Sequence, residues 1–268
     1  SPLDHVPPII TTLTLHIGHP DAGRQRAAIR PQAEALGTQA LQGMNLSLAA
    51  GERVALLGPS GCGKSSVLRL LGGLLQASSG ELKVPAGLRL GSVFQQATLM
   101  PWATVLDNVA LPLRLQGQGA KAARQQAQPM LERVGLKGFD QALPHELSGG
   151  MQMRAALARA LVLEPDLLLL DEPFGALDEI TREQLGRELL QWHAARPALA
   201  MLLVTHSVFE AVALADRILV MGPRPGRVIG EVQLPKERPA NWSTQDAYFA
   251  AVRDAQRLLA SGLQGAVA

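Results

Sequence analysis

The chain of 268 residues is 47% hydrophobic and 18% charged, which excludes a disordered segment and suits one α/β domain, 1–268, with a large core. Its net charge of +2 calls for no nucleic acid, and no apolar run reaches the roughly 18 residues that span a bilayer. The start, Ser1-Pro2-Leu3-Asp4-His5, lacks the basic and apolar regions of a secretory leader, and the single cysteine, Cys62, has no intrachain partner, as suits a reducing cytosol.

Residues Ile9 to Ile17 alternate and are rich in Thr, Leu and Ile, the pattern of a strand. A surface loop with Arg24, Arg26 and Arg30 follows. Met44 to Leu48 alternates again, and Ala49-Ala50-Gly51-Glu52 turns the chain into the apolar run Val54 to Leu57. That run ends in Gly58-Pro59-Ser60-Gly61-Cys62-Gly63-Lys64-Ser65, the pattern G-x-x-x-x-G-K-S, and an apolar-periodic stretch from Val67 to Leu75 comes next. Strand, glycine loop, helix is the context of a phosphate-binding loop, and at this chain's composition only about 0.004 matches arise by chance. The glycines let backbone N–H groups turn around phosphate oxygens, and the helix presents its positive end to the same anion. Gly58 through Ser65, with Ser66 in the first helical turn, are therefore the candidate nucleotide contacts. Lys64 would reach the β and γ phosphates, and Ser65 would ligate Mg²⁺.

Leu88 to Phe94 reads as another strand. From Leu99 the composition shifts to Ala, Gln, Leu and Arg, with a helical period after Ala120, which predicts a helical insertion over about 99–163. Leu167 to Leu170 is an apolar run closed by Asp171-Glu172-Pro173, Ala200 to Val204 is closed by Thr205-His206, and Arg217 to Met221 is a third. Short apolar runs between helical segments mark a parallel sheet buried on both faces, whose strand ends carry ligand-binding residues. The reading puts Asp171, Glu172 and His206 on the edge of the glycine loop. Trp242 to Leu263 reads as a surface helix.

Leu147-Ser148-Gly149-Gly150-Met151 opens a long helix. Ser148 is a good cap, whereas two glycines just inside cost roughly 1 kcal/mol each against Ala. They make sense where something approaches the backbone closely, as a phosphate at a helix N-terminus does. Asp171 would hold Mg²⁺ through water, and Glu172 is the natural general base for the attacking water. His206 could sense the γ-phosphate or orient that water, and a strand-end histidine equally often serves structure. Gln95 could touch both Mg²⁺ and water, with Gln96 beside it leaving the register open.

Taken together, these residues resemble the ATP-binding subunit of an ABC transporter from about Leu41 to Met221. They match the Walker A loop at Gly58–Ser65, the Q-loop at Gln95, the signature at Leu147–Met151 and the Walker B strand at Leu167–Asp171 with Glu172. The D-loop at Gly175-Ala176-Leu177-Asp178 and the switch His206 complete the order. The resemblance implies a P-loop NTPase core with a mainly parallel sheet, an N-terminal antiparallel β part and a helical insertion. It further implies ATP and Mg²⁺ as ligands, and a second copy packed head to tail so that ATP sits between one Walker A loop and the other signature. The signature ends in Met151 where Gln is common in the family, with Ser148 and both glycines intact.

Phe94-Gln95, Leu99-Met100-Pro101-Trp102, Thr104 to Val109, Asp171 to Arg182 and Pro223-Arg224-Pro225-Gly226-Arg227 look like the nitrate/sulfonate/taurine type of bacterial importer. That resemblance implies an integral membrane permease, a periplasmic solute-binding protein and a peripheral place on the cytoplasmic face of the inner membrane. Leu99 to Asn108, with Pro101-Trp102, is the candidate surface for a permease helix. The alternative is a soluble ABC ATPase, for example of the iron–sulfur assembly type. Family members usually stack an aromatic residue from upstream of the Walker A loop on adenine, and this chain has no Phe, Trp or Tyr before Phe94. His16, His19 or an arginine of the following loop would stack instead. Adenine should then be weakly discriminated: GTP and ATP at equal, subsaturating concentration are expected to be hydrolysed at similar rates, and a far slower GTP rate in a phosphate-release assay would refute it.

Overall fold

A computed structural model describes residues 15–16, 40–75, 82, 84–85, 87–239 and 241–264. Apart from Leu15–His16, the strand expected over Ile9–Ile17 lies outside the described residues, as do His19 and the basic loop. The chain forms two compact units, one from the parts before Gly87 and from Val204 onward, the other from Gly87–Leu203.

In the first unit β1 (Leu15–His16) pairs antiparallel with β2 (Gln42–Met44). Met44, Leu46 and Leu48 are buried in alternation, as the sequence suggests, and Glu52 closes the turn onto Ala49. β3 (Arg53–Leu57) leads through the glycine loop into α1 (Lys64–Leu71). The strand pairs in parallel with β7 (Arg217–Met221), Val54 opposite Arg217 and Leu57 opposite Val220. β8 (Val228–Gln233) then runs antiparallel to β7, a strand the sequence reading does not anticipate. α6 (Val208–Leu214) packs on β3, and α7 (Asp246–Gln264) packs on β7 and β8. Val54 to Leu57 and Ile218 to Met221 are all buried, each large side chain contributing about 1.5–3 kcal/mol. Such runs are what a strand covered on both faces requires.

Where these strands begin, charge replaces apolar contact. Asp216 accepts from the Arg53 backbone N–H at 3.0 Å, from the Arg53 guanidinium and from Arg238 at 3.4 Å. Arg238 also donates to the carbonyls of Val212 and Ala213 at 3.2 and 3.0 Å and to that of Ala215. One arginine thus satisfies the C-terminal carbonyls that α6 cannot satisfy within itself.

The second unit holds β4 (Leu90–Val93) and β5 (Leu167–Asp171), parallel and in register from Leu90 opposite Leu167 to Val93 opposite Leu170. β6 (Ala200–Thr205) starts beside them, its Ala200 N–H donating to Asp166 at 2.9 Å. The helical insertion consists of α2 (Val105–Leu115), α3 (Ala120–Arg133) and α4 (Gly149–Leu161). These helices share a core of Val105, Val109, Leu113, Ala127, Leu131 and Leu147. α5 (Glu179–Ala194) packs on α4 and is tied to it by Arg154, which donates to Glu188 and, at 3.0 Å, to the Val134 carbonyl. The fold is α/β with mainly parallel strand pairing. The C-terminal helix starts later than expected, at Asp246, because Trp242 lies in a preceding 3₁₀ turn with its indole N–H donated to the Val212 carbonyl at 3.2 Å. No helix among the described residues is long and apolar enough to cross a membrane.

Candidate functional site

In the first unit the glycine loop closes around its own lysine. Gly61 and Gly63 take φ of 78° and 105°, the left-handed region that side chains disfavour. Gly63 caps α1 without a side-chain hydrogen bond, at a helix start whose N–H groups suit an anion. Lys64 is 4% exposed, and a buried ammonium is costly unless paired. Its Nζ donates to the carbonyls of Gly58 and Pro59 at 2.7 and 2.8 Å. These bonds hold the charge inside the loop that leads from Gly58 into the first turn of α1.

Beneath the loop lies a support that the sequence reading does not identify. The Gly226 N–H donates to Ala40, and the Gln42 N–H donates to Gly226, both at 2.9 Å. Leu41, fully buried, sits between them. A Cβ added at Gly63 would stand 2.7 Å from both the Ala40 carbonyl and a Leu41 methyl, and one at Gly226 would stand 2.0 Å from the Cys62 carbonyl. The Pro223–Arg227 stretch thus packs directly under the phosphate loop, and its glycine was the signal available. His206 stands exposed in the turn between β6 and α6, and Ser207 caps α6 by accepting from the Glu210 N–H at 3.3 Å.

In the second unit the registered β4–β5 pair sends Gln95 and Asp171-Glu172 out at the same strand ends. Glu172 has φ of 46°, rare for a residue with a side chain and the kind of strain that concentrates at functional sites. The Gly175 N–H donates to its carbonyl at 3.1 Å. A Cβ at Gly175 would lie 3.7 Å from Gln95 Nε2 and 3.9 Å from Glu172 Oε2, so the amide and the carboxylate border one spot. Ser65 in the first unit, and Gln95 and Asp171 in the second, each carry a side-chain oxygen of the hard type that Mg²⁺ prefers.

At the start of α4 the Ser148 hydroxyl accepts from the Met151 N–H at 3.3 Å. Ser148 and Gly149 are exposed, and only a Leu177 methyl at 3.8 Å comes near a Cβ built on Gly149. The cap contributes about 1 kcal/mol, less than the roughly 2 kcal/mol that the two glycines cost. Gly150 has a reason within the chain: a Cβ there would be 2.6 Å from the Thr181 methyl. Thr181 is fixed in turn by Asp178, which accepts from its N–H at 3.0 Å and its hydroxyl at 2.6 Å. These bonds hold the Asp178 carboxyl below the usual carboxylate range.

Trp102 is 78% exposed, not a core residue, and Leu115 is 79% exposed. With Met100, Asp107, Leu111 and Arg114 they line an open groove of about 590 Å³. Buried Asn108 organises its rim: its side chain accepts from the Met100 N–H at 2.7 Å and donates to Met100, Ala103 and Thr104 at 3.0–3.2 Å. Arg124 binds Asp107 through two bonds, at 2.7 and 2.9 Å, and holds that carboxyl below its ordinary range.

The family model described as "ABC transporter" matches residues 41–175. The chain is 47% identical over 206 residues to the aliphatic sulfonates import ATP-binding protein SsuB 1 of Pseudomonas syringae pv. syringae (strain B728a), covering 75% of this chain and 84% of that protein. It is 46% identical over 202 residues to the taurine import ATP-binding protein TauB of Burkholderia pseudomallei (strain 1710b), covering 73% and 77%. Two solved structures of the MJ0796 cassette superpose with TM-scores of 0.69, covering 85% of this chain and 100% of theirs. One is a dimeric bacterial ABC transporter cassette at 30% identity, and the other a dimeric post-hydrolysis state bound to ADP and Pi at 29%.

The floor under the phosphate loop is testable. Gly226→Ala is expected to weaken ATP binding about tenfold or more by displacing the Cys62 carbonyl, whereas Gly119→Ala, with nothing within 4 Å of its Cβ, should leave it unchanged. Calorimetric titration with ATP decides the point, and parent affinity in Gly226→Ala would contradict it.

Proposed function

The chain belongs to the ABC transporter ATPase family, and on that basis we propose that it powers import of a small solute of the sulfonate, taurine or nitrate kind through a membrane permease. It hydrolyses ATP to ADP and phosphate and works as a dimer that closes head to tail around the nucleotide. The observation that carries this reading is the start of α4. Ser148 and Gly149 present a capped helix N-terminus that is exposed and unobstructed, suited to a phosphate on a second copy. The importer names of the relatives favour this reading over a soluble ABC ATPase.

In the proposed cycle, backbone N–H groups of Gly58 to Ser66 cradle the ATP phosphates and Lys64 offsets their charge. Ser65, Gln95 and Asp171 would hold Mg²⁺, which when bound neutralises charge on the β and γ oxygens. Glu172 takes a proton from the attacking water, and Gln95 and His206 orient that water and the γ-phosphate. Ser148 to Gly150 of the second copy complete the site when the dimer closes. The groove beside Trp102 receives a helix of the integral permease, which holds the chain on the cytoplasmic face of the bacterial inner membrane. A periplasmic solute-binding protein delivers the solute from the other side.

Two variants test separate parts of this account. Glu172→Gln should bind ATP, lose turnover about 100-fold or more and accumulate as a dimer; a monomer by light scattering in saturating ATP and Mg²⁺ would count against the closed dimer. Trp102→Ala should weaken co-purification with the permease about tenfold while sparing ATP affinity. Lost ATP affinity with assembly intact would remove Trp102 from the docking surface.

A further inference from the structure

Resting on the reading that His206 addresses the γ-phosphate, we propose that Thr205 and Glu210 are positioning residues that fix where His206 stands. His206 is exposed, whereas the residue before it is 1% exposed and Glu210 is 9% exposed. The Thr205 hydroxyl donates to Glu210 Oε2 at 2.6 Å and accepts from the Ser207 N–H at 2.9 Å. Ser207 Oγ accepts in turn from the Glu210 N–H at 3.3 Å. The bonds close a ring that passes on both sides of His206, using the hydroxyl as donor and acceptor at once.

This arrangement departs from an ordinary helix start in an informative way. Ser207-Val208-Phe209-Glu210 has the spacing of a capping box, in which the glutamate reaches back to the N–H of the capping serine. Here the Ser207 N–H goes to Thr205, and the Glu210 carboxylate takes the Thr205 hydroxyl. The box is extended by one link, and the residue it encloses is His206. A carboxylate at this depth is costly to desolvate, and an apolar side chain would fill the space without that cost. The helix dipole favours a first-turn carboxylate, and the bond to the Thr205 hydroxyl is what satisfies it at this depth.

The far end of the helix is anchored as well. Arg238 binds the carbonyls of Val212, Ala213 and Ala215, Trp242 Nε1 donates to Val212 at 3.2 Å, and the Tyr248 hydroxyl donates to the Phe209 carbonyl at 3.3 Å. With α6 held along its length, the ring at its start converts a rigid helix into a fixed place for the His206 backbone.

The test is steady-state ATP hydrolysis by the full chain. In Thr205→Val/Glu210→Leu both buried partners become apolar together, which removes the hydroxyl–carboxylate bond without stranding either of its two members and releases the part-buried Ser207 N–H. Its thermal midpoint should stay near that of the parent while kcat falls about tenfold or more, with the KM for ATP within about twofold. Thr205→Ser, which keeps the hydroxyl, should keep kcat within about threefold of the parent. In a His206→Ala background the paired replacement should cause no further loss, since residues acting through one group are not additive. Parent-like kcat in the paired variant, or a loss that multiplies with that of His206→Ala, overturns the proposal. Parent-like kcat in His206→Ala alone removes the reading of His206, and the proposal with it.

Discussion

The buried ammonium of Lys64 is the constraint on which the nucleotide-binding part of the molecule depends. A charge at 4% exposure is tolerated because two backbone carbonyls face it at 2.7 and 2.8 Å. Those carbonyls face it only because Gly61 and Gly63 take left-handed conformations. Gly63 in turn leaves space for Ala40 and Leu41 to close in from below, and Gly226 packs under the Cys62 carbonyl. Sequence, backbone and packing thus converge on one side chain. The β3–β7 register supplies a rigid edge on which this loop can be built.

The second unit follows a different logic. Its residues are set by turns and caps: the φ of 46° at Glu172, the Asp178 bonds to Thr181 and the Thr181 methyl against Gly150. Through Thr181, the turn after Glu172 and the start of α4 share a contact. Strain at an acidic residue within such a network fits a group whose carboxylate must point in one direction only.

Much of this was legible in the sequence because the signals are local. Glycine spacing around Lys64, the four-leucine run before Asp171 and the serine before Gly149 each state a turn, a buried strand and a cap within a few residues. The alternation of Met44, Leu46 and Leu48 placed those side chains inside although only Met44 belongs to a strand. What was missed depends on distant partners. β8 carries half-exposed residues and a glycine, and its pattern makes sense only when Leu258 of α7 is seen against Gly230, where a Cβ would stand 2.7 Å away. Gly226 owes its identity to Cys62, far away in the chain. The two glycines of the signature were read as one feature, yet Gly150 answers to Thr181 while a Cβ at Gly149 would meet only ordinary contact with Leu177. Ser207 and Glu210 have the spacing of a serine–glutamate cap, but that spacing does not reveal that the Glu210 carboxylate takes the Thr205 hydroxyl.

The short segment Ala40 to Gln42 carries none of the motif residues, yet its backbone bonds to Gly226 and the Leu41 side chain beneath Gly63 form the floor of the phosphate loop. Where the chain is cut therefore matters more than the motifs suggest. A fragment begun at Gly43 would keep the whole Gly58–Ser66 phosphate loop and lose the surface that loop rests on. A piece of this protein that keeps its phosphate loop supported therefore has to include Ala40 to Gln42, upstream of the first recognisable motif.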